Sequence, residues 1–161
     1  LRAQDISFHR LSRRGSPSQL VSNCEINFTS GETDVDYEDG YCIIELIGEW
    51  NDAIENDIMT LKRDIIDELI QVGIDKFIII TENVLNFHAS DDCYYEEWME
   101  DIEEEGGWVS IIGLPEQSRY DFTRAHIDRY VQLIDLPDWR PFTPGNLFTK
   151  VDNLLVRRLN N

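Results

Sequence analysis

Phe77-Ile-Ile-Ile80 is an unbroken run of large apolar residues, three of them β-branched. Successive side chains of a strand point to opposite faces of its sheet, so such a run must be covered on both sides. Just before it, Ile54, Ile58, Leu61, Ile65, Leu69 and Val72 recur at steps of three and four. That is the apolar stripe of an amphipathic helix, which we expect to begin at about Asp52. Gly73 stands where a helix C-cap glycine belongs. A helix leading into a doubly buried strand points to a parallel sheet with helices packed on it.

The rest of the chain repeats that alternation. Ile26-Asn-Phe28 reads as a short edge strand. Tyr41-Cys-Ile-Ile-Glu-Leu-Ile47 reads as a strand stopped by Gly48. A helix capped by Ser90 or Asp91 is expected to run to about Glu105. Trp108-Val-Ser-Ile-Ile112 is a strand entered through Gly106-Gly107. A helix follows over 116–129, with Tyr120, Ala125 and Ile127 inward. Val131-Gln-Leu-Ile134 is a short strand, and a last helix over 146–159 turns Leu147, Val151, Leu154 and Leu155 inward. The order β-β-α-β-α-β-α-β-α predicts one α/β domain over 25–161. Its mainly parallel sheet has four to five strands covered by about four helices.

Charge narrows the function. Fourteen Lys and Arg stand against 32 Asp and Glu, a formal net charge of −18. A body of that sign repels nucleic acid and anionic membrane, so neither is an expected partner. No apolar run reaches the ~18 residues of a membrane span. Three widely spaced cysteines form no CxxC pair or Cys/His cluster, which argues against zinc and for free thiols in a reducing, cytoplasmic setting. No metal or other cofactor is implied.

Residues 1–24 read differently, as a flexible basic tail. The arginines at 2, 10, 13 and 14 dominate it, and Arg13-Arg14-Gly15-Ser16 fits the Arg-Arg-x-Ser pattern of basophilic kinases. The acidic stretch 31–40 alternates Asp34, Asp36 and Glu38, but Asp39 stands where a calcium loop of the EF-hand type needs glycine. It reads as a solvated loop.

Three segments resemble the STAS domain of bacterial anti-sigma-factor antagonists. Gly48-Glu49-Trp50 is similar to the Gly-Glu-Leu that leads into that family's first long helix. Phe87-His-Ala-Ser90 is similar to its Phe-x-Asp-Ser, and Gly106-Gly107-Trp-Val-Ser-Ile-Ile-Gly113 to its Gly-Gly-x-x-x-x-x-Gly strand and turn. The resemblance covers about residues 25–135. It implies a STAS-like fold and a non-enzymatic, regulatory protein-interaction module. It also implies that Ser90 is a switch, phosphorylated by a partner kinase and thereby released from that partner. Ala89 stands where the family has Asp, and Asp91-Asp92 follow Ser90. A non-switching relative, held permanently negative by those two carboxylates, is the other reading.

The segment 91–105 contains nine acids and no Lys or Arg. At 100° per residue, Tyr94, Tyr95, Trp98, Met99 and Ile102 fall in an arc of about 140°. Glu96, Glu97, Glu100, Asp101, Glu103 and Glu104 take the other side. Like-charged i,i+4 pairs such as Glu96/Glu100 each cost ~0.2–0.5 kcal/mol. An acidic face of this kind suits electrostatic steering of a protein partner with a basic surface. His88, Asp91, Asp92, Glu96, Glu97, Glu100, Asp101 and Glu104 are the expected partner-binding residues, and the oligomeric state is left open. Two alternatives remain. One is a subunit or assembly factor attached through the tail and the Trp139–Gly145 connector. The other is an enzyme using His88, Ser90 and Cys93, although no Gly-x-Ser-x-Gly elbow or phosphate loop is present.

Overall fold

The computed structural model describes residues 24–27, 35–36, 39–54 and 56–160, with the side chains of 24–27, 35–36 and 159 left undescribed. The tail with Ser16, and most of the acidic stretch 31–40, lie outside the described residues. The strands are β1 (Cys24–Asn27), β2 (Val35–Asp36), β3 (Tyr41–Asn51), β4 (Lys76–His88), β5 (Trp108–Ile112) and β6 (Gln132–Ile134). One continuous helix, α1, starts as Asp57–Leu61, passes through a π-helical segment Lys62–Ile66 and ends as Asp67–Gln71. Helices α2 (Cys93–Glu103), α3 (Glu116–Arg124) and α4 (Pro144–Leu159) follow, with a 3₁₀ turn at Ile127–Arg129.

The sheet order is β1-β3-β4-β5-β6, with β2 also pairing β3. Strands β3 to β6 are mutually parallel, and β1 and β2 lie antiparallel to β3. This is the expected α/β, mainly parallel sheet with four covering helices. Alternation splits the core in two. Cys42, Ile44, Phe77 and Ile79 face the cluster built with α1, α2 and Phe122 of α3. Tyr41, Ile43, Ile78 and Ile80 face Leu147, Val151 and Leu155 of α4. The run Phe77–Ile80 is buried on both faces, as its composition demands.

Several boundaries differ from the sequence expectation. Strand β3 does not stop at Gly48. It continues to Asn51, and Gly48 (φ 125°) instead takes a shift in register between β3 and β4. Helix α1 begins at Asp57, so Ile54 lies in the preceding turn and is 81% exposed rather than inward. Past Gly73 the predicted helix end holds. The N–H of Ile74 donates to Leu69 and that of Gly73 to Ile70, which closes a Schellman motif. In α3 the inward residues are Ser118 and Phe122; Tyr120 is exposed, and the helix ends at Arg124 before the turn that buries Ile127. Gly107 is required by close approach: a Cβ there would come within 2.3 Å of the Asp75 carbonyl. It lets the turn after α2 settle against the start of β4.

Candidate functional site at the carboxyl ends of β3 and β4

In open parallel sheets, ligand sites gather beyond the carboxyl ends of the strands. Here the two central strands β3 and β4 end side by side, with Trp50 opposite Phe87 and Asn51 opposite His88. The Trp50 and Phe87 rings stack at 5.9 Å, and the N–H of Asp52 donates to the His88 carbonyl at 2.8 Å. Two of the three resembling segments therefore meet in space. The third ends further back along β4, where Gly113 abuts Glu82.

After His88, which is exposed, the chain turns through Ala89, Ser90, Asp91 and Asp92 into α2. Ser90 does not cap the helix. The N-cap residue is Asp92, and its side chain makes no capping bond. The Asp91 carboxylate takes that role: Oδ1 accepts the Cys93 N–H at 3.2 Å and the Cys93 thiol at 2.8 Å. Both bonds from Cys93 hold the Asp91 carboxyl below its ordinary pKa. The Ser90 hydroxyl is exposed and donates to the other Asp91 oxygen at 3.4 Å. A fixed carboxylate thus already occupies the positive end of α2.

The faces of α2 are those the wheel predicts. Tyr95, Trp98 and Ile102 are buried, and Tyr94 and Met99 pack at the margin. The acids divide. Arg63 of α1 makes a two-pronged contact to Glu97 (2.7 and 2.9 Å) and lies over the Tyr94 ring. The fully buried Lys62 donates to Asp101 at 2.8 Å and to Asp67. Burial opposes its charge, but the hydrogen bonds it donates to Asp101 and Asp67 outweigh that and raise its pKa. Tyr130 donates to Glu96 at 3.0 Å. Glu100, Glu103 and Glu104 are exposed, and their side chains make no hydrogen bond or ion pair among the described residues.

Asp52 is the residue that sequence reading missed. It sits one step past β3, 4% exposed, and its Oδ1 accepts the Ile58 N–H at 2.8 Å. It caps α1 from five residues before the helix, because the N-cap residue Asn56 offers no side-chain bond. Its Oδ2 lies 3.3 Å from the Tyr95 hydroxyl of α2. The indole N–H groups of Trp50 and Trp98 are buried without a well-formed hydrogen bond, and Trp50 acts on Asp52 through a looser polar contact. Both indoles border a cavity of about 20 Å³ with otherwise nearly apolar walls. The available signal was an acid at the expected start of a helix, which alone distinguishes nothing in so acidic a chain.

Hydrogen bonding to Asp91 raises the Cys93 pKa, the opposite of what an activated thiolate needs. Ser90 and Cys93 both turn to Asp91 rather than to His88. Among the described residues no three His, Cys, Asp or Glu are placed to hold a metal ion, and no helix is long and apolar enough to cross a membrane. In the connector, Trp139 is buried and its indole N–H donates to Glu82 at 2.9 Å. Arg140 stacks on Trp139 and binds Glu82 and the buried Glu45. These residues pin α4 to the sheet and leave Phe142 partly exposed.

No family model matches the chain, and no curated protein matches it either. Among solved structures it is similar to the phosphorylated form of the Bacillus cell-fate determinant SpoIIAA, at 13% identity and a TM-score of 0.48, over 71% of this chain and 92% of that one. It is also similar to the Thermotoga maritima protein TM1081, assigned as an anti-sigma factor antagonist. The crystal structure of that protein gives 21% identity and a TM-score of 0.47, over 59% of this chain and 80% of that one. Its NMR structure gives 19% identity and 0.45, over 68% and 81%.

Proposed function

We propose that the chain is a STAS-like regulatory protein-interaction module. Its docking surface for a cationic protein segment is the outer side of α2 together with the 88–92 turn. The observation that carries this reading is the division of carboxylates on α2. Glu96, Glu97 and Asp101 are engaged by Tyr130, Arg63 and Lys62, while Glu100, Glu103 and Glu104 stay exposed and unpaired among the described residues. Charge of one sign that the fold leaves uncompensated attracts an opposite surface and speeds its encounter. His88, Asp91 and Asp92 continue that surface around the helix start, with Asp91 its fixed anion. Ser90 is exposed to a modifying enzyme, and a phosphate there adds charge beside Asp91.

The test is pull-down and association kinetics at low and high salt. Glu100→Lys with Glu104→Lys should slow association and flatten its salt dependence; unchanged binding refutes the acidic surface. Glu97→Lys is left out because it also breaks the contact with Arg63. Loss of the partner with Ser90→Glu but not Ser90→Ala identifies a phosphorylation switch. Indifference to both identifies a non-switching relative held by Asp91.

A further inference from the structure

We propose that Asp52 is a protonation latch: with its proton on, it holds the end of β3, the start of α1 and Tyr95 of α2 in one buried cluster, and losing the proton loosens that cluster. The geometry carries the inference. One residue joins three elements: its carboxyl accepts the Ile58 N–H and the Tyr95 hydroxyl, and its backbone N–H donates to the His88 carbonyl at the end of β4. The groups that act on it are few. From α1 comes Asp57, itself fully buried, whose Oδ2 accepts the Asn51 N–H at 2.8 Å. From α2 comes Tyr95, and from β3 the indole of Trp50. Strand β4 presents the backbone carbonyl of His88. No lysine or arginine among the described residues pairs with Asp52.

A carboxyl taken out of water beside another carboxyl is most stable with its proton on. Burial accordingly lifts the Asp52 pKa from 3.8 to about 7, against the opposing hydrogen-bond contacts of Trp50, Ile58 and Tyr95 and with the charge of Asp57 in support. Tyr95 stays neutral beside Asp52, because burial first, and Asp52 next, hold its own pKa well above the ordinary phenol value. The unfolded chain releases the Asp52 proton near pH 4, while the folded chain keeps it to about pH 7. The stability contributed is therefore greatest at the acid end and falls as pH rises between those values. The folding equilibrium constant drops by up to about tenfold per pH unit in that window. Above it, an ionised Asp52 stays out of water beside the buried Asp57 with no cation among the described residues to offset it, and the cluster as a whole opens more often to admit water.

Three measurements on the full chain decide it. Carbon NMR of the wild-type Asp52 carboxyl should give a titration midpoint near neutrality, shifted down in Asp57→Asn. Amide exchange of residues 94–98, corrected for intrinsic rates, should report a several-fold larger opening constant at pH 8 than at pH 6. Asp52→Asn should abolish that difference. A midpoint near 4, or a pH-dependent opening that persists in Asp52→Asn, overturns the latch. The carboxyl titration is read on the wild type and stands even if the Asn variant does not fold. No partner enters these experiments, so their failure leaves the docking surface untouched.

Discussion

Helix α2 is held at two places by opposite means. Along its middle, Lys62 and Arg63 of α1 meet Asp101 and Glu97, and every charge on that seam has a counter-charge. At its start, Tyr95 leans on the buried Asp52, which no cation among the described residues reaches. The contrast teaches where a chain of net charge −18 places its few cations. Two adjacent basic residues hold the acidic helix on the body, and the neighbouring carboxyl is left to neutralise itself by keeping a proton.

The comparison breaks most directly at Lys62. Lys62→Ala leaves Asp67 and Asp101 facing each other over a void. Both are partly exposed, so we expect a loss of about 2–4 kcal/mol in urea unfolding, short of the cost at a fully buried pair. A loss below ~1 kcal/mol means that apolar packing of Trp98 and Ile102, not the ion pairs, seats α2. The same titration distinguishes the other end. Between pH 5 and 8 the wild type should lose about 2–3 kcal/mol as Asp52 ionises, and Asp52→Asn should remove most of that slope. The smallest effect comes from the exposed side. Glu100→Lys removes the Glu96/Glu100 repulsion and puts a cation in the last turn, so it should stabilise by about 0.2–0.5 kcal/mol while weakening partner capture. If it destabilises, Glu100 has an internal partner and the surface is not free.

Most of the fold was legible because it rests on local periodicity. The helical stripe from Ile58 to Leu69, the doubly buried Phe77–Ile80 and the inner face of α2 all appear where spacing puts them. The far half of β4 was not legible. Register shifts between Glu45/Ile47 and Gly48/Glu49 of β3 leave extra residues on β4, so Val84 and Phe87 are inward three apart instead of two. A period of three matches no strand template, so periodicity alone does not mark 83–88 as part of a strand. Ile54 failed for the opposite reason. It fits the helical stripe by spacing, yet the turn after Asn51 holds it outside, with its N–H on the Asn51 side chain.

The site divided along the same line. Which residues of α2 are acidic and which face inward was set by sequence, because one helix turns its residues by a fixed angle. Which of those acids are neutralised was decided only by the fold, since Lys62 and Arg63 lie 39 and 34 residues from Asp101 and Glu97. Asp52 is the extreme case. Its composition is that of any other acid in the chain, and only burial between β3, α1 and α2 makes it the one that keeps its proton. A carboxyl's free energy depends on the water and charges around it, and those are set by tertiary contacts.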